Sequence, residues 1–198
     1  MKNYQITIGG YETMQEFVSI WSPRYKYPNY EKYSLHINKA CDDSKSLRAM
    51  FEWKNGTEER ISESKSKVVA SFIGKIQILK DLKQTDTLDW EIFESTFEPH
   101  KNSTIWKTFL IHLIQPSLYP IFDQHVYRSY CFFTEGKIKE LPKTSKQVYQ
   151  IYKVQYLPWI TDISNTEYIP LNELDKALFA FGKTLKALEG LHVFSTRY

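Results

Sequence analysis

Apolar residues recur every three or four positions along most of this chain, a spacing that predicts helix after helix. A first short helix over 12–21 is stopped by Pro23. Residues 25–30 read as a Tyr/Pro-rich loop and 31–38 as one or two helical turns. Over 43–54, Leu47, Met50 and Phe51 fall at helical spacing, and Asn55-Gly56 supplies a C-terminal stop. The longest early helix is expected over 62–82, where Val68, Val69, Phe72, Ile73, Ile76 and Leu79 form one apolar stripe with lysines opposite. An amphipathic helix over 88–97 leads into a tight polar turn, Glu98-Pro99-His100-Lys101-Asn102-Ser103, with Ser103 placed to cap a helix over 104–114. Pro116 and Pro120 bracket a short loop, after which a helix starts at Asp123 and runs to about Phe133. Residues 145–163 are helical again, with Pro158 predicting a kink or a break. Leu174, Leu178, Phe181, Leu185 and Leu188 then mark a last helix over 171–188. The fold class is all-α, and with no repeat, low-complexity tract or linker the chain reads as a single helical domain over 1–198.

Composition narrows the function. Hydrophobic residues make up 42% of the 198, enough for a packed interior, and charged residues 25%, so the chain is neither a disordered tail nor a coiled coil. A net charge of +3 permits a polyanionic partner without requiring one. Two cysteines, Cys41 and Cys131, are too few for a four-cysteine cluster, and the five histidines show no ligand spacing, so no metal or cofactor is expected. Residues 1–10 carry no apolar signal core and the aliphatic stretch 109–114 is far too short to span a bilayer, so the expectation is a reduced, cytoplasmic protein with no membrane partner. The aromatic share of 16% exceeds what a core needs and suggests stacking surfaces.

The chemistry concentrates between 88 and 133: a helical hairpin, a Pro-bounded loop, then Tyr119-Pro120-Ile121-Phe122-Asp123-Gln124-His125-Val126-Tyr127-Arg128. An apolar run leading into Asp-x-His-apolar-x-Arg at a helix start resembles the helix-hairpin-helix (HhH-GPD) DNA glycosylase superfamily, over roughly a fifth of the chain. The resemblance implies a two-lobed helical fold with the active site between lobes, acting as a monomer on double-stranded DNA that contains a modified base. Asp123 would be the catalytic carboxylate, stabilising the oxocarbenium-like transition state and orienting water. The other reading of Asp123 is a plain N-cap.

The remaining assignments follow from the same resemblance. His125 would meet a DNA phosphate, or be a half-buried helix histidine. Arg128 would contact phosphate or form a structural ion pair. Lys101, Asn102, Ser103 and Lys107 would bind the backbone at the hairpin, although its turn lacks the family's glycines. Tyr119, Phe122, Gln124, Asp175 and Phe179 would line the base pocket, the last two sharing a helix face at i, i+4. Lys183 is a further candidate contact, and Trp53 a wedge or a core residue. Bifunctional members carry a Schiff-base lysine upstream of the Asp. The positions in that register are Ile105 and Thr104, which implies a monofunctional enzyme leaving an abasic site, with Lys107 keeping lyase activity open. The segment Phe51-Glu52-Trp53-Lys54-Asn55-Gly56 resembles small phage-defence glycosylases that excise glucosylated hydroxymethylcytosine. The rival substrate is 8-oxoguanine. A non-catalytic DNA-binding module of the same fold, or a helical interaction protein, are the competing classes.

Overall fold

Residues 11–56, 61–97 and 104–189 are described by a computed structural model, and among them the chain is helical with no strand. Short polar side chains start several helices. Thr13 accepts from the Glu16 amide to open α1 (Met14–Trp21). Asp43 caps α3 (Ser44–Lys54) through the amides of Lys45 and Ser46, and Asp89 caps α6 (Trp90–Thr96) through Ile92. Between these lie α2 (Tyr30–His36), α4 (Glu63–Ile73) and α5 (Ile76–Lys83). Then follow α7 (Thr104–Ile114), α8 (Gln124–Glu135), α9 (Ser145–Gln150), α10 (Leu157–Thr166) and α11 (Leu171–Glu189).

Two elements differ from the sequence reading. The single helix expected over 62–82 is two, α4 and α5, because Lys75 leaves helical geometry (φ −117°, ψ 21°) after Gly74. The apolar stripe survives the break, with Val69, Phe72, Leu79 and Leu82 buried. The two helices pack on different partners, α4 on α3 and α5 on α7. Pro158 does not end its helix either. It occupies the first turn of α10, immediately after a π-helical segment, Ile151–Tyr156. Proline offers no N–H and its ring crowds the carbonyl four residues back, and the wider π turn accommodates both.

The chain divides into two compact units. The first takes Met1–Tyr25, Phe122–Pro142 and Ile151–Tyr198, and the second Lys26–Ile121 and Lys143–Gln150. In the second, the Phe51 ring of α3 packs tilted against Trp106 and edge-on against Phe109 of α7. His112 is buried there, with Nδ1 2.7 Å from the Tyr119 carbonyl and Nε2 2.9 Å from the Tyr33 hydroxyl. The carbonyl only accepts, so Nδ1 carries the proton and Tyr33 donates to Nε2.

The first unit is built on α8 crossing α11. Phe17 of α1 and Phe132 and Phe133 of α8 set their rings edge-on or tilted to Phe181 of α11. At the crossing, Ser129 Oγ donates to the Leu178 carbonyl at 2.6 Å. A Cβ added at Gly182 would fall 2.8 Å from that Oγ, 2.6 Å from the His125 carbonyl carbon, and closer still to its oxygen. Only glycine fits there.

Two outcomes follow. Gly182→Ala forces α8 off α11 and should cost roughly 1–3 kcal/mol, whereas Gly74→Ala, whose Cβ would meet nothing nearer than 3.6 Å, should stabilise by about 0.4–1 kcal/mol. Thermal unfolding followed by circular dichroism separates the two. Burial lowers the pKa of His112 to about 4, against about 6.5 for a free imidazole. Between those values the unfolded chain holds a proton the folded one lacks, so stability should fall as pH drops through that window, and above it be unaffected. Urea unfolding midpoints across the window should drop less steeply in His112→Gln.

Candidate active site

Phe122 fixes the entry to α8. Its ring is fully buried among Tyr127, Tyr152 and Tyr156 of the same unit. The next residue, Asp123, is extended (φ −151°, ψ −175°) and turns one carboxylate oxygen back over the helix start. Oδ1 accepts from the His125 amide at 2.9 Å and the Val126 amide at 3.2 Å. Two backbone donors and the positive end of α8 favour the ionised form, and the side chain is largely buried.

A buried tyrosine links this carboxylate to the last helix. Tyr156, in the π segment, is fully buried, and its hydroxyl has no hydrogen-bond partner among the described residues. Its pKa is pushed well up, first by burial, then by Asp175, Tyr152 and Asp123. Both carboxylates singled out in the sequence therefore act on one phenol, which stays neutral. One turn along α11 from Asp175, Phe179 sets its ring at 68° to His125, 5.0 Å away, and at 68° to Tyr25, 5.2 Å away.

Arg128 is turned inward. Only 2% exposed, it holds Glu140 through Nη2 at 2.8 Å to each carboxylate oxygen and through Nε at 3.1 Å. Its Nη1 lies 3.0 Å from His125 Nδ1. Lys186 of α11 reaches Glu140 at 3.1 Å, and these two cations hold the Glu140 carboxyl below the usual carboxylate range, Arg128 most strongly.

Of the residues chosen from the sequence, the structure brings Asp123, His125, Asp175 and Phe179 together in the first unit. Gln124 is exposed on the first turn of α8. Phe122 is core and offers no face to a base, because three tyrosine rings already cover it. Arg128 is committed to Glu140 and is the structural ion pair, not a phosphate contact. Tyr119 belongs to the second unit, where its hydroxyl accepts from the Leu88 amide at 3.3 Å and its ring meets the edge of Trp90. Lys107 lies there too, 4% exposed, its ammonium 4.7 Å from the Tyr149 ring centre and 5.4 Å from that of Phe93. A phosphate would find it covered. Trp53 is buried against Tyr27, Tyr33 and Phe109 and is a core residue. Lys183 is exposed. Lys101, Asn102 and Ser103 lie outside the described residues.

Sequence reasoning missed Tyr156, Tyr152 and Glu140. The tyrosines carried a signal, an i, i+4 pair just ahead of Pro158. Glu140, in a connector without periodicity, carried none. Among the described residues no group of His, Cys, Asp and Glu could hold a metal ion, and no helix is long and apolar enough to cross a membrane. Comparison with known protein families, curated proteins and solved structures finds no match to this chain.

The cap itself is testable apart from any activity. Asp123→Ala should lower stability by about 1 kcal/mol, while Asp123→Asn, an equally good cap, should leave it nearly unchanged. Equilibrium urea unfolding of both variants checks this.

Proposed function

We propose that this chain is a DNA glycosylase of HhH-GPD type that flips a modified base from the duplex and hydrolyses its N-glycosidic bond. The observation that carries the reading is the setting of Asp123. A cap needs only one acceptor at a helix start, and a buried phenol, Tyr156, that feels both Asp123 and a second carboxylate, Asp175, adds nothing to capping. Gathering like charges about an apolar, aromatic interior costs stability, and functional sites are where such a cost is retained.

The chemistry that suits the arrangement is direct. As the C–N bond breaks, its electron pair leaves with the base and positive charge grows on the sugar. The Asp123 carboxylate stabilises that charge, orients a water toward the anomeric carbon and accepts its proton. Lys107, covered by Phe93 and Tyr149, is poorly suited to form a Schiff base, which favours water as nucleophile and an abasic site as product. Glucosylated hydroxymethylcytosine, in an anti-phage role, is the substrate the sequence resemblance favours. 8-Oxoguanine is the alternative, carried by the Asp175 and Phe179 pair.

Duplexes bearing either base, and an unmodified control, are incubated with the protein and then treated with alkali. Strand breaks should appear only after alkali and only with a modified base. Asp123→Asn should lower base release by roughly 100-fold or more while duplex binding persists. Intact strands with wild type on every duplex would sink the proposal, and breaks before alkali would mean a lyase.

A further inference from the structure

The contact between Arg128 and His125 decides more than packing. A guanidinium has five N–H donors and no acceptor. Its Nη1 lies 3.0 Å from His125 Nδ1, so Nδ1 must accept, and the ring proton of the neutral imidazole sits on Nε2. Protonating Nδ1 would set one N–H against another and bring two cations into contact. Arg128 itself donates three hydrogen bonds to a single carboxylate, Glu140, which accepts a fourth from Lys186. Phe179 fixes the ring from the α11 side.

We infer that Glu140, acting through Arg128, locks His125 as the neutral tautomer protonated on Nε2, making Glu140 a positioning residue for the site. The ring's one N–H donor is then Nε2, and Nδ1 is closed to proton transfer. Asp123 is left as the proton acceptor at the start of α8. The titratable and charged groups on the surrounding elements pull in both directions. Asp123 on α8, Asp175 on α11 and Glu140 in the connector favour an imidazolium. Arg128 on α8 and Lys186 on α11 oppose it, and Tyr156 in the π segment stays neutral. Arg128 is in direct contact, and it outweighs the more distant carboxylates because it occupies the nitrogen that would have to take the proton.

What the donor meets rests on the glycosylase reading, but the tautomer does not, and the test is chosen accordingly. Nitrogen-15 spectra of the histidine rings distinguish a bare from a protonated ring nitrogen, with His125 assigned by comparison with His125→Gln. In wild type, His125 should show a bare Nδ1 and a protonated Nε2, with no titration near the ordinary imidazole value of about 6.5. In Glu140→Gln, where Arg128 loses its two-oxygen grip, the ring should begin to titrate at higher pH and mix its tautomers. Arg128→Met should take this furthest, and if that variant does not fold, wild type and Glu140→Gln decide the matter. A protonated Nδ1 in wild type, or Glu140→Gln spectra and titration identical to wild type, would overturn the inference. Should wild type release no base from any duplex, that failure falls on the proposed function alone, because the ring spectra need no turnover.

Discussion

At Gly182 the backbone of α11 passes so close to that of α8 that one methyl group would displace it. The approach is sealed by the Ser129 hydroxyl on the Leu178 carbonyl. Because His125 provides the carbonyl that Gly182 abuts, the crossing lies at the first turn of α8, next to the cap. Asp175 and Phe179 lie within two turns upstream of Gly182 on α11, so the same crossing carries them to Asp123 and His125. A wider helix separation would leave each of these residues in place on its own helix and still dissolve the site.

Charge within the first unit is arranged unevenly. Arg128, buried, is neutralised by Glu140 and so contributes little attraction for a polyanion. Asp123 is satisfied by amides, which favour its charge without cancelling it. A neutral phenol, Tyr156, stands near both Asp123 and Asp175. The second unit treats its polar groups differently, absorbing Lys107 over aromatic rings and His112 as a neutral link between Tyr33 and the Tyr119 carbonyl. Among the described residues most aromatic side chains pack as rings within each unit. The net charge of +3 gains no focus from Lys107 or Arg128, since both are covered.

Much of the local structure was legible in the order of residues. Helical spacing marked where helix lies, though not each of its breaks, and Asp123 announced itself as a helix start, because capping depends on a carboxylate and amides two and three residues on. His125 on the following turn, and the i, i+4 relation of Asp175 and Phe179, were equally local. The break at Lys75 was not legible, because α4 and α5 obey one periodic stripe and are parted only by what each packs against. The π segment was half visible: Pro158 signalled a disturbance, but whether a helix breaks or widens there depends on its neighbours.

The sequence alone determined an all-helical chain and a capping carboxylate followed by a histidine and an arginine, since these rest on contacts within a few residues. Only tertiary structure decided which of the chosen side chains share a unit. Tyr119 and Lys107 lie near Asp123 in the chain yet belong to the other unit, whereas Asp175 and Phe179, some fifty residues away, belong to its own, with Phe179 against His125. It also decided that Arg128 faces Glu140, because a buried guanidinium must find a carboxylate wherever the fold supplies one, and nothing in the spacing of 128 and 140 names that partner.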